Sequence, residues 1–379
     1  MIQRHLRFRL QEIGGSYPVI SITGPRQSGK TTLVRNLFPD YVYTNLEIPD
    51  VRRFALEDPK AFLNQAPCMI IDEVQYQPEL LSYIQGIVDE EKRRKFIITG
   101  SQNLLISEKI SQSLAGRVAI FTLLPLSISE LQSADLLKND VIQQMFYGSY
   151  PRVYKEDLEP SRWFDDYVQT YLERDVRLLK NIENPGLFQR FLGFMAGRTG
   201  QILTMNSLAN DVGVTVPTID SWISILEATY IIFKVYPFHR NFNKRIIKSP
   251  KIHFYDTGLA CSLLRIGSPK ELMHHPLAGS IFESFVAGNI MKESFNKGKR
   301  GQVWYWREQT GREIDLLYED EEKMVANEIK LSSTIARGDA NNLLYFQKLS
   351  GEQMDLRVIN GGNETQSRTD FQFVSWKEL

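Results

Sequence analysis

The stretch that most restricts this chain is Gly24–Leu33, GPRQSGKTTL, which follows directly on the apolar run YPVISIT. Gly24, Gly29, Lys30 and Thr31 meet the spacing G-x-x-x-x-G-K-[ST]. A strand, PVISIT, precedes the loop and an amphipathic helix, TTLVRNLF, follows it. Successive backbone N–H groups at a helix N-terminus cradle an anion, and the helix dipole adds to that preference. The expected cradle is Gly24, Pro25, Arg26, Gln27, Ser28, Gly29, Lys30, Thr31 and Thr32. Its glycines let the backbone wrap a β-phosphate, Lys30 reaches the β/γ oxygens, and the Thr31 hydroxyl ligates Mg²⁺. The bland alternative is a glycine-rich turn that happens to hold a lysine; the strand before it and the helix after it argue for the cradle.

A phosphate loop needs a metal-holding acid and a water-polarising group beside it. CMIIDE, Cys68 to Glu73, reads as a buried parallel strand ending in two acids. Asp72 is placed to hold Mg²⁺ through water, and Glu73 to polarise an attacking water. Ligands collect at the C-terminal ends of strands in such sheets, which puts this pair next to the loop. KFIITGSQN, Lys95 to Asn103, is another buried strand; it ends in Ser101, Gln102 and Asn103, groups able to sense a γ-phosphate or simply to make a turn. Arg117 stands just before a further strand, available to a γ-phosphate in its own site or in a neighbouring subunit's, or to an ordinary salt bridge.

The order GPRQSGKTTL, MIIDEVQ, TGSQN, LAGR, LPLSISEL, YGSYPRVY and YLERDV resembles a family of prokaryotic AAA-type P-loop ATPases, over nearly the whole chain. Members join a P-loop module to a C-terminal region with a nuclease-like fold of the PD-(D/E)xK class. The resemblance implies an ATP-binding, ATP-hydrolysing N-terminal module in which Lys30, Thr31, Asp72 and Glu73 match the motif positions.

The middle of the chain carries a different signal. ILTMNSLANDVGVTVPTIDSWISILEATYII reads as two helices around a turn at Gly213-Val214. Leu208, Ala209 and Val212 mark the first; Ile219, Trp222, Ile223 and Leu226 mark the second, with Pro217 tolerated in its first turn. YIIFKVYPF, HRNFNKR and IIKSPKIHFYD then read as a hairpin with a basic tip, the wing of a winged helix. Net charge is zero, with 45 basic and 45 acidic residues, so only local clustering can point to a partner. From Leu187 to Tyr255, Arg190, Arg198, Lys234, Arg240, Lys244, Arg245, Lys248 and Lys251 face only Asp211, Asp220 and Glu227. That excess is the footprint of phosphate contacts, with Lys244, Arg245, Lys248 and Lys251 the expected ones. The second helix offers no Arg or Lys, which argues against reading of bases.

Three elements in the last third suggest metal-dependent chemistry on phosphodiesters. SIFESFVAGNIMKE is an amphipathic helix with Glu283; GREIDLLYE is a strand with Asp315 opposite Ile314; MVANEIKL is a strand whose Glu328 and Lys330 share a face. Asp315 and Glu328 offer hard oxygen ligands for Mg²⁺, Glu283 a further one, and Lys330 would orient the attacking water. The competing reading is a scaffold that keeps these groups as an internal salt-bridge network. Trp304 and Trp306 share a strand face and read as core.

Two scattered cysteines, Cys68 and Cys261, fit a reducing compartment. No apolar run approaches the roughly 18 residues of a membrane span, and MIQRHLRFRLQEIGG has no signal-peptide core, so the expected location is cytoplasmic, with no membrane partner. The expected architecture is α/β in three parts. A P-loop NTPase parallel sheet occupies residues 1–150, a helical and winged-helix segment 151–260, and a nuclease-like α/β domain 261–379. The expected function is ATP hydrolysis, with Mg²⁺, coupled to non-sequence-specific DNA engagement and DNA cleavage. The alternative is an ATP-dependent switch or adaptor that recruits a protein partner or forms a homo-oligomer.

Overall fold

The computed structural model describes residues 2–101, 113–172, 184–238, 249–321, 323–334 and 336–379. By packing the chain forms two compact units. One is Met1–Leu126 with Ala228–Tyr230 and Lys292–Arg300; the other is Ser127–Glu227, Ile231–Met291 and Gly301–Leu379.

The first unit holds a five-stranded parallel sheet in the order β2-β3-β4-β1-β5. Its strands are β1 (Val19–Thr23), β2 (Val42–Asn45), β3 (Cys68–Asp72), β4 (Lys95–Gly100) and β5 (Val118–Thr122). The near-continuous apolar runs of β1, β3 and β4 follow from burial on both faces. Alternation then divides them. Val19, Met69, Ile71, Phe96 and Ile98 pack with Leu80, Leu81 and Ile84 of the helix Leu80–Glu90. Ile20, Ile22, Ile70 and Ile97 pack with Leu6 and Leu10 of the helix Leu6–Ile13 and with Leu33 and Val34 of the helix Lys30–Leu37. β1 lies between β4 and β5, with Thr23 beside Gly100 and Thr122, so the C-terminal ends of the three strands align.

The second unit holds a nine-stranded mixed sheet, in the order β13-β14-β12-β11-β10-β9-β7-β8-β6. Its strands run β6 (Gln201–Ile202), β7 (Ile232–Pro237), β8 (Lys251–Phe254), β9 (Val303–Arg307), β10 (Glu313–Asp320), β11 (Lys323–Lys330), β12 (Asp355–Asn360), β13 (Gln366–Ser367) and β14 (Gln372–Ser375). The helices Met205–Val212 and Val216–Ala228 flank Gly213, whose φ of +86° suits glycine. Leu208, Val212, Ile219, Trp222 and Leu226 bury together with Phe188 and Phe191. β7 and β8 pair antiparallel, and β6 adds a third strand to them. The segment between β7 and β8 that carries Lys244, Arg245 and Lys248 lies outside the described residues.

Residues 127–150 belong to the second unit, and β7 pairs in parallel with β9, which makes the middle and C-terminal segments share one sheet. A polar rivet sits inside this unit. Asp256 caps the helix Thr257–Leu263 through Leu259 N–H and accepts both the N–H and the hydroxyl of Ser149, each at 2.7 Å. Trp306 is core against Phe346, as its strand face suggested, with Trp304 packed at the margin. Among the described residues no helix is long and apolar enough to cross a membrane.

Candidate nucleotide site and carboxylate cluster

The phosphate-type loop joins β1 to the helix Lys30–Leu37. Gly24 has φ +148°, and a Cβ there would lie 2.1 Å from the Leu123 carbonyl oxygen, so no other residue fits. Gly29 at φ +95° precedes the helix, and Gln27 also takes a positive φ, +64°. Lys30 is buried, and its ammonium donates to the carbonyls of Gly24 and Pro25, both at 2.9 Å. Ser28 is fully buried and its Oγ has no protein partner, the kind of hydroxyl a bound anion would satisfy. Arg26 stands 3.9 Å from Glu47, and Thr32 is exposed. Thr23, just before the loop, shares a 2.6 Å hydrogen bond with the Tyr230 hydroxyl.

Beside the loop, buried Asp72 gathers hydroxyls. Thr31 donates to its Oδ2 at 2.7 Å, Tyr43 to the same oxygen at 2.8 Å, and Thr99 to Oδ1. Burial, and then the Asp72 charge, push the Tyr43 hydroxyl far up, so it remains a donor. Glu73 adopts φ +57°, a left-handed conformation that costs a non-glycine residue about 1–3 kcal/mol. Gln75 donates one amide group to both Glu73 and Ser101, the latter at 3.2 Å, tying the end of β3 to the end of β4. Lys30, Thr31, Asp72, Glu73 and Ser101 therefore meet at aligned strand ends. Gln102 and Asn103 lie outside the described residues.

Arg117 is placed differently. It stands before β5, at the end of the sheet opposite the loop. Val118 pairs with Val19 whereas Thr122 pairs with Thr23, a separation of about 13 Å along the strand. Its guanidinium grips Asp89 through two bonds, 2.5 and 2.8 Å, and so serves no phosphate in its own loop.

In the second unit Glu283, Glu313 and Asp315 lie around a lysine assigned otherwise. Lys251 is 3% exposed, and its ammonium reaches Glu283 at 2.7 Å and also Glu313. A lysine this deep is tolerated only when paired, so it is an internal cation and no surface phosphate contact. Glu313 also meets Arg307 at 3.2 Å. Asp315 accepts the Ile329 N–H at 2.8 Å, and Lys330 donates to Glu328 at 2.7 Å. Burial, reinforced by the Asp315 charge, raises Glu328 to about 7, and its Oε2 is buried with no hydrogen-bond partner. Burial also raises Glu283 and Asp315 against the pull of Lys251. His253, buried beside Glu283 and Lys251, is held neutral, its pKa pushed down to about 3 by burial and then by Lys251. Among the described residues no three Asp, Glu, His or Cys side chains converge as a metal cage. The reading of Glu283, Asp315 and Glu328 as a shared metal site thus meets a lysine that already neutralises part of the cluster.

Sequence reasoning missed Gln75, Tyr43 and Thr99. The second residue beyond the acidic pair and a threonine closing the apolar run FIIT were visible signals; Tyr43 lies on a short edge strand and gave none.

Fold and loop together define a P-loop protein of the ATPase type. Residues 16–132 match the family described as "AAA domain", residues 138–270 a domain of unknown function (DUF8612), and residues 278–379 another (DUF4143). The uncharacterized protein Rv2008c of Mycobacterium tuberculosis is 30% identical over 356 residues, 91% of this chain and 78% of that protein. The uncharacterized protein MJ1637 of Methanocaldococcus jannaschii is 25% identical over 416 residues, 95% of this chain and 84% of that one. The chain belongs to the family of the mycobacterial protein. Among solved structures, the Walker-type ATPase PABY2304 of Pyrococcus abyssi aligns with a TM-score of 0.46 and 14% identity, over 70% of this chain and 96% of that one.

Proposed function

We propose that this chain binds ATP at the loop Gly24–Thr32 and hydrolyses it. The observation that carries the reading is the meeting of Thr31 with Asp72 beside the Glu73–Gln75–Ser101 chain at the C-terminal ends of β3 and β4. Amides of the loop cradle the α- and β-phosphates, and Lys30 reaches the β- and γ-phosphates. Thr31 and Asp72 would hold Mg²⁺, which when bound supplies charge neutralisation on the phosphate oxygens. Glu73 orients water for attack and takes its proton, while Gln75 fixes the carboxylate and Ser101 the far side. Lys30→Ala should abolish nucleotide binding in a calorimetric titration. Glu73→Gln should keep binding and lose roughly 10²–10⁴-fold in turnover. Undiminished hydrolysis in Lys30→Ala would remove the site assignment.

Nucleotide state then controls engagement of a partner. A non-specific DNA partner is supported by the basic excess between Leu187 and Tyr255, with Lys244, Arg245 and Lys248 as contacts. Binding through them requires a steep loss of DNA affinity with salt; a flat dependence leaves a protein partner, the switch or adaptor reading. Arg117 has a role at a phosphate only in a homo-oligomer, toward a neighbour's loop.

Cleavage by the C-terminal cluster is a second reading, supported by the meeting of Asp315, Glu328 and Lys330 and by the unpartnered Glu328 oxygen. Lys251, bonded to Glu283 and Glu313, favours the scaffold alternative. Plasmid incubated with Mg²⁺ or Mn²⁺ and ATP separates the two: nicking lost in Asp315→Ala means an enzyme, and no nicking in either protein means a scaffold.

A further inference from the structure

We infer that Arg4, twenty residues ahead of the loop, is a positioning residue for the phosphate cradle; the inference rests on the ATP reading above. Arg4 is 6% exposed, and its guanidinium donates from Nη1 to the Ser28 carbonyl and from Nη2 to the Leu124 carbonyl, both at 2.6 Å. Charge-assisted bonds of that length are the strong ones. In a trans peptide the carbonyl of one residue and the N–H of the next point in opposite directions. Fixing the Ser28 carbonyl on Arg4 therefore aims the Gly29 N–H away from the guanidinium, toward the side from which a phosphate can approach.

The second bond makes the arrangement rigid. Leu124 follows Leu123, whose N–H donates to the Thr23 carbonyl at 2.8 Å and whose own carbonyl abuts Gly24. One guanidinium thus ties the far end of the loop to the strand end that already holds its near end. Arg4 is itself anchored, because Leu6 and Leu10 of the helix that follows are fully buried against Leu33 and Val34 of the helix the loop opens. Two carbonyls at this spacing need a planar fork; a lysine reaches one of them.

The test titrates the full chain with ATP and with ADP, with Mg²⁺, in wild type, Arg4→Gln, Arg4→Lys and Lys30→Ala, and records the melting temperature of each. The loop amides serve phosphates present in both nucleotides, so Arg4→Gln should weaken ATP and ADP alike, by about tenfold. Arg4→Lys should fall between it and wild type. KM should rise in step while kcat at saturating ATP stays within about twofold, because uniform binding is what is lost. Should Arg4→Gln fail to fold, Arg4→Lys is read by the same criterion. Affinities equal to wild type, or a lower melting temperature with unchanged KM, overturn the inference and leave a purely structural arginine. A wild type that binds neither nucleotide removes the ATP reading itself; binding lost in Lys30→Ala but kept in the Arg4 variants removes only the role of Arg4.

Discussion

A single close backbone approach can set what the second unit tolerates. A Cβ at Gly148, where φ is +63°, would stand 2.4 Å from Asp256 Oδ1 and 2.8 Å from the Phe164 ring. Gly148→Ala therefore displaces the carboxylate that holds Ser149 and the helix Thr257–Leu263, and should cost about 2–4 kcal/mol, read as a lower urea midpoint. A change under about 0.5 kcal/mol would show that the rivet carries no stability. Tyr43 makes a different kind of point. Its hydroxyl shares one Asp72 oxygen with Thr31, so Tyr43→Phe should free that carboxylate to turn. The expected result is a loss of about three- to tenfold in the Mg²⁺-dependent part of ATP affinity, the ratio of affinities with Mg²⁺ and with a chelator, with chelator-only affinity unchanged. Equal weakening under both conditions would mean that Tyr43 supports the fold and not the metal position.

At the scale of elements, the turn from Glu73 to Tyr76 joins two strand ends through one amide. Gln75→Ala removes the fork on Glu73 and Ser101 and should lower kcat about tenfold with KM within about twofold, since the bonds matter only once water is aligned; a rise in KM with kcat intact would sink that role. The strands themselves were legible because β1, β3 and β4 are buried on both faces, which forces apolar runs, and because the loop spacing has a stated mechanism. The helices around Gly213 were legible from their apolar period and that glycine. Lys251 was not. A lysine on a strand beside basic residues reads as a surface charge, and its burial depends on Glu283 and Glu313, which the chain brings to it from 32 and 62 residues away. Arg117 left two readings open, a phosphate ligand or an ordinary salt bridge, and the salt bridge to Asp89 is the one found. Arg4 and Tyr43 carry no local pattern, since both act through bonds to distant segments.

Across the whole molecule, three family segments fold as two packed units, because β7 and β9 join the middle and last segments in one sheet. That second unit stores charge. Glu283, Glu313, Asp315 and Glu328 share three cations, Lys251, Arg307 and Lys330. Four carboxylates with three cations leave one negative charge in excess; burial raises Glu283 and Asp315 as well, and raises Glu328 from the ordinary 4.5 to about 7. Between those two values the folded unit holds a proton that the unfolded chain has released. This contribution to stability is complete below about pH 4.5 and is lost as pH rises toward about 7, by at most about 1.4 kcal/mol per pH unit for one proton. Urea midpoints of the second unit's transition, compared between about pH 5 and about pH 7.5, should therefore fall more in wild type than in Glu328→Gln, which is neutral throughout. The same comparison decides the state of the unpartnered Glu328 oxygen. If wild type and Glu328→Gln lose stability with equal slope, Glu328 is charged across the whole range and Lys330 alone balances it.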